Sequence, residues 1–157
     1  MEYEFLERLN HGPIDFITQT KYWIVFLDRD QKNLGTCVVA LKRKANLLSS
    51  LTPDEWKEFK QIVRLLESGL KKAFNVTMFN WGCLLNTAYI KLPPHPQVHW
   101  HLIPRYRDPV EFHGVVFNDP CFGKSTLTAQ DDKLDLSLKF RAKIISVIRE
   151  NLNWDNF

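Results

Sequence analysis

Cysteine is scarce in this 157-residue chain, at three residues, Cys37, Cys83 and Cys121. An odd number without CxxC spacing argues against a disulfide framework and for reduced thiols. Cys37 and Cys83 fall in apolar strands and read as small core residues rather than nucleophiles. No apolar run approaches the length of a membrane span. The first residues, among them Glu2, Glu4, Glu7 and Arg8, hold no signal-type apolar region. The expectation is a cytoplasmic protein with no membrane partner. An excess of one charge is also missing: the net charge is +3, too mild to point to nucleic acid. The only basic cluster, Lys42-Arg43-Lys44, follows a strand and reads as a solvated strand end. Repeats, low-complexity tracts and linkers are absent, so residues 1–157 are expected to form one domain. A chain of that length buries about two thirds of its unfolded surface, and 45% hydrophobic against 25% charged residues is an ordinary globular balance.

Periodicity then gives the elements. Residues 1–12 hold one or two helical turns through Phe5, Leu6 and Leu9. Tyr22 to Leu27 is β-branched and aromatic and ends at Asp28-Arg29-Asp30, so it reads as a strand. After the turn residues 30–35, Thr36 to Leu41 reads as a second strand, antiparallel to the first and covered on both faces. Leu51-Thr52-Pro53-Asp54-Glu55 opens a helix: Thr52 caps, Pro53 fits the first helical position and Glu55 completes a capping box. Trp56, Phe59, Val63, Leu66 and Leu70 continue it as an amphipathic stripe ending near Phe74-Asn75. Val76 to Asn86 reads as a strand in which Gly82 marks a bulge or close approach. Glu111 to Phe117 reads as an edge strand, and residues 118–125 as a loop. A second amphipathic helix runs from about Asp131 through Leu134, Leu138, Ile145, Ile148 and Leu152. The fold class is therefore α+β, an antiparallel sheet of about five strands with two main helices.

The stretch Gln97-Val98-His99-Trp100-His101-Leu102-Ile103-Pro104-Arg105 holds the chemistry. Alternation puts Gln97, His99 and His101 on one face, about 7 Å apart at each step, and Val98, Trp100 and Leu102 on the other. The second set is suited to burial. Two imidazoles are an odd choice for a merely solvated face, where Lys, Thr or Glu serve better.

Three readings compete for the pair. A neutral imidazole is a good nucleophile toward phosphorus when an acceptor on its other nitrogen fixes the tautomer. A second imidazole beside it bonds phosphate oxygens or assists the leaving group. Alternatively, His99 and His101 with His95 or His113 supply three ligands for Zn²⁺. The third reading is a polar face without chemistry, and the pair by itself leaves all three open. Upstream residues separate them. Asn80, Gly82 and Asn86 lie on or beside a neighbouring strand, and amide donors bind oxyanions but rarely zinc. Asp28 offers a carboxylate for two ribose hydroxyls. Together these fit a nucleoside monophosphate better than a metal.

Between about Tyr22 and Arg105 the sequence resembles the histidine triad (HIT) superfamily of nucleotide hydrolases and transferases. The matching features are a strand ending in Asp28, the Gly35-led strand after it, and Leu51-Thr52-Pro53-Asp54-Glu55. Phe79-Asn80-Trp81-Gly82 with Asn86, and above all Val98-His99-Trp100-His101-Leu102-Ile103-Pro104-Arg105, complete the set. The family pattern is His-φ-His-φ-His-φ-φ, with φ apolar. The resemblance implies that His99 is the nucleophile forming a nucleotidyl intermediate and that His101 contacts phosphate oxygens. It implies Asp28 on the ribose, Asn86 beside the phosphate, and Phe26 against the base, with Asn80 and Gln97 also toward the substrate. It further implies a homodimer, no cofactor and no obligatory metal. Implied substrates are dinucleoside polyphosphates such as diadenosine polyphosphate, nucleoside phosphoramidates, or another activated mononucleotide.

Two positions depart from the pattern. Gln97 stands where the first histidine belongs, and Lys44 where many relatives have histidine after the second strand. The interval from Asn86 to Gln97 is long and proline-rich, and leaving-group specificity is expected there. The alternatives are a non-catalytic nucleotide-binding module, or a zinc-binding protein using His95, His99 and His101. His11 and His113 read as solvated or structural, and Arg105 as an anchor of the strand end.

Overall fold

The computed structural model describes residues 14–90, 92–126 and 133–157. The expected helical turns over residues 1–12 and His11 lie outside the described residues, as does Asp131.

Apolar, β-branched residues form the centre of the sheet. β1 (Phe16–Gln19), β2 (Trp23–Leu27), β3 (Cys37–Leu41), β4 (Met78–Gly82) and β5 (His99–Arg105) make one sheet in the order β1-β2-β3-β5-β4. Every pairing in it is antiparallel. The five residues of β2 and of β3 are all buried, which is the two-sided cover their continuous apolar runs predict. The α+β class and the count of five strands match the sequence reading, but one strand differs. β1 is the edge strand beside β2, whereas Glu111 to Phe117 leaves the sheet. That segment forms a separate hairpin of β6 (Val110–Phe112) and β7 (Val115–Phe117). Its turn residues His113 and Gly114 have φ of 49° and 81°, the double left-handed turn that closes a two-residue hairpin loop.

α1 (Pro53–Phe74) starts as its sequence dictates. The Thr52 hydroxyl accepts from the Glu55 N–H and the Glu55 carboxylate accepts from the Thr52 N–H. The helix buries Phe59, Ile62, Leu65, Leu66, Leu70 and Phe74. Trp56 is 41% exposed, so the stripe lies slightly to one side of the expected one. α2 (Leu138–Asn151) starts later than the apolar pattern predicts. Ser137 caps it by accepting from the Phe140 N–H, and Leu134 instead lies beside Asp30, donating its N–H to the Asp30 carboxylate. The two helices approach closely at Gly69, where an added Cβ would stand 2.9 Å from the Leu152 side chain.

The helices cover one face of the sheet. Trp23, Val25, Leu27, Cys37, Val39, Leu41 and Leu102 point into that main core with Phe59, Leu66, Leu70 and Ile144. Trp100 stacks on Phe59 with ring centroids 5.0 Å apart. On the opposite face Ile24, Phe26 and Ala40 form a small separate cluster against Phe16. Alternation along β5 places His99 and His101 on that second face. No helix among the described residues is long and apolar enough to cross a membrane.

Candidate active site

Cross-strand register assembles the site. His99 sits opposite Ala40 and His101 opposite Val38 on β3, while Gly82 on β4 flanks His101 from the other side. The small neighbours of β3 and β4 leave room above the two rings. The rings are 5.0 Å apart at their centroids and nearly perpendicular.

His99 is 9% exposed. Its Nδ1 lies 2.7 Å from the Gln97 carbonyl oxygen. A carbonyl only accepts, so Nδ1 carries the hydrogen and the lone pair is left on Nε2. This is the acceptor a phosphorus nucleophile needs, and the backbone supplies it. His101 is more open, with 30% of its side chain exposed, and its Nδ1 is 3.8 Å from Asp28 Oδ2. Asp28 Oδ1 accepts from the Asp30 N–H, which fixes the carboxylate at the end of β2. The structure thus brings His99, His101 and Asp28 together.

Of the other four expected residues, two are buried, one is bonded to Arg105 and one lies in an exposed turn. Gln97 is 2% exposed and precedes β5 rather than extending its polar face. Its Nε2 donates to the carbonyls of Leu41 and Arg43 at 2.6 and 2.7 Å, and its Oε1 accepts from the Ala45 N–H. Both amide hydrogens are spent, so the side chain ties β5 to the end of β3 instead of meeting a ligand. Asn80 is on the imidazole face, but its Oδ1 accepts from Arg105 Nη1. Asn86 is exposed, in the short turn Asn86–Tyr89. Phe26 has no exposed surface and is packed in its small cluster. Gly82 ends β4, and a Cβ there would make only ordinary contact with Leu84, so no close approach requires it.

His95 is exposed and His113 lies in the β6–β7 turn against Phe112. Among the described residues no three His, Cys, Asp or Glu side chains converge as a metal site requires. Burial pushes the thiols of Cys37 and Cys83 up; for Cys83 the His99 N–H opposes the shift. Neither is tuned as a nucleophile.

Arg105 anchors the end of β5, as expected, and does so through partners far from it along the chain. It is fully buried, and all five of its N–H donors find acceptors. Nε and Nη2 form a fork on Asp119, Nη1 bonds Asn80 Oδ1 and the Lys124 carbonyl, and Nη2 also reaches the Cys121 carbonyl. Residues 118–126 are thereby held over the imidazole face. They divide the space into two clefts that share Leu84, His101, Ile103 and Thr126. The larger, of about 640 Å³, opens toward Asp28, Asp30 and Phe117. The smaller, of about 430 Å³, runs along β4 beside Asn80, Gly82 and residues 123–126.

A five-stranded antiparallel sheet, helices on one face and an oriented imidazole pair on the other define a class of α+β proteins built around a histidine strand. The chain belongs to the histidine triad family: the HIT domain model matches residues 11–108. The fold is similar to that of a histidine triad nucleotide-binding protein from Sulfolobus tokodaii, at 16% identity and a TM-score of 0.69. That likeness covers 95% of this chain and 91% of the other. A histidine triad protein from Sinorhizobium meliloti is similar at 21% identity and TM-score 0.69, over 97% and 96% of the two chains. A diadenosine triphosphate hydrolase from Plasmodium falciparum is similar at 15% identity and TM-score 0.60, over 92% and 80%. No curated protein sequence matches the chain.

Proposed function

We propose that this chain is a cytoplasmic nucleotide hydrolase or nucleotidyl transferase acting at the α-phosphate of a nucleoside 5′-phosphate derivative. The observation that supports it is the 2.7 Å contact of His99 Nδ1 with the Gln97 carbonyl, which leaves Nε2 as the nucleophilic nitrogen. In the first step the Nε2 lone pair attacks the α-phosphorus and the bond to the leaving group breaks with its electron pair. The leaving group departs as an anion or takes a proton from solvent, and the nucleotide remains on His99 as a phosphoramidate. The hydrogen stays on Nδ1 throughout, and the Gln97 carbonyl that accepts it offsets the positive charge that develops on the ring. Water, or an acceptor hydroxyl in a transferase, then attacks phosphorus and gives up its proton to solvent, and the P–N bond breaks with its electron pair returning to Nε2. His101 contacts the phosphate oxygens, and Asp28 accepts from ribose hydroxyls. Substrates on this reading are dinucleoside polyphosphates, adenosine derivatives first, nucleoside phosphoramidates or another activated mononucleotide; no metal is obligatory. The working unit is a homodimer, and β4, at an edge of the sheet, offers a strand for pairing between copies.

The test is to trap the intermediate. Protein mixed with diadenosine polyphosphate and quenched in alkaline denaturant should carry one nucleotide by mass spectrometry. His99→Ala should abolish the adduct and lower turnover by about 10³-fold or more. One observation favours a second reading. At the first triad position the Gln97 amide is wholly committed to the backbone, as suits a module that binds nucleotide without turning it over. Micromolar binding without adduct or product would establish that reading and end the catalytic one.

A further inference from the structure

The two clefts that meet at His101 differ in charge. Toward Asp28, the larger is lined by Asp28 and Asp30 against Lys32 and Lys133, its third carboxylate, Asp119, being paired with Arg105. Along β4, the smaller is lined by no carboxylate among the described residues; its charged lining residues there are Arg105 and Lys124, beside Ser125 and Thr126. Arg105 is matched by Asp119, whereas Lys124 is exposed. A phosphate chain leaving the α-position carries about one negative charge per phosphate, and facing carboxylates would repel it. A ribose, by contrast, wants carboxylate acceptors. The signs therefore sort the two halves of a nucleotide between the two clefts.

We propose that the cleft between β4 and residues 123–126 holds the anionic leaving group of the substrate, the second and later phosphates of a nucleoside oligophosphate. Lys124 is its main cation, and the Ser125 and Thr126 hydroxyls donate to it. The inference rests on the nucleotide reading above and narrows it to substrates with a charged leaving group, over phosphoramidates with a neutral amine. Residues 123–126 lie beyond the matched family domain, which ends at 108. They are set in place by bonds, not by chance proximity. The Lys124 N–H donates to the Cys121 carbonyl at 2.7 Å, and its carbonyl accepts from Arg105 Nη1 at 2.7 Å. Arg105 has no donor left for a ligand, so it is a positioning residue.

Calorimetric titration of the full chain with AMP and with α,β-methylene-ATP, which resists cleavage at the α-phosphate, tests this. The analogue should bind at least about tenfold tighter than AMP, and Lys124→Glu should cut that ratio by about tenfold, with Lys124→Gln between. Lys72→Glu on α1 makes the same charge change behind the sheet and should leave the ratio alone. An unchanged ratio in Lys124→Glu, or an equal drop in Lys72→Glu, overturns the proposal. Equal affinity of the two ligands for the unsubstituted protein overturns it while leaving the nucleotide reading intact. Failure of both ligands to bind ends the nucleotide reading and this inference together.

Discussion

Trp100 and Leu102 face the helices while His99, His101 and Arg105 face away, and the two sides of β5 are filled from different distances along the chain. Behind the strand, the cover is α1 and α2, elements whose own 3.6-residue pattern dictates a buried stripe. In front, the cover at the Arg105 end is an irregular segment, residues 118–126, held by one guanidinium together with the Tyr106 N–H on Asp119. The first side is stabilised by apolar area, spread over many residues. The second is stabilised by one saturated polar hub. Spread contacts fail gradually and a hub fails at once, so the two sides should respond differently to substitution.

Arg105→Met should have the largest effect on stability. It removes the cation and leaves Asp119, whose side chain is 2% exposed, as an unpaired buried charge. That costs about 3–5 kcal/mol, measurable as a shift in the urea midpoint. Replacing both partners, as Arg105→Met with Asp119→Leu, should recover much of the loss, because no stranded charge remains. The double variant should still lose the affinity difference between α,β-methylene-ATP and AMP, since residues 123–126 are no longer tethered. Retention of that difference would show that the hub serves stability alone. Leu66→Ala, on the helical side, should cost about 2–5 kcal/mol by leaving a cavity under α1. It should not alter nucleotide affinity in the protein that remains folded. A change in affinity there would mean that the two sides of β5 are coupled.

The same contrast decides what could be read from the chain. The capping box at Thr52 and Glu55, the apolar runs of β2 and β3, and the alternation in β5 are local patterns, and each produced its element. β1 was not foreseen because it is four residues long and its pairing with β2 shifts register between Phe16 and Thr18. The hairpin of β6 and β7 looked like sheet because β-branched residues favour any strand, and nothing local says which sheet receives it. His99, His101 and Asp28 were legible as a group because each ends on, or beside, a recognisable strand. Arg105 was legible as an anchor of the strand end but its partners were not, since Asn80 lies 25 residues before it and Asp119 14 after. Gln97 and Phe26 show the same limit: alternation gives the direction of a side chain, but not what already occupies the space it points into.

Glu55 gives the smallest test of the comparison, at a polar anchor on the helical side. Its carboxyl is held below the ordinary range first by hydrogen bonds from Arg43, with the Thr52 N–H adding to the effect against the cost of burial. A carboxylate whose pKa is lowered by folding stabilises the native state fully above its unfolded value of about 4.3. That contribution is lost as pH falls through the lowered native value. Arg43 is 43% exposed, and water screens the pair. Gln at this position can still accept from the Thr52 N–H, as in a capping box. Glu55→Gln should therefore cost only about 0.5–1 kcal/mol at neutral pH. The difference from the unsubstituted protein should shrink as the pH is brought below about 4, read from urea unfolding at each pH. A difference that stays constant into acid would assign the loss to packing rather than charge, and would make this anchor as much a matter of fit as the apolar residues around it.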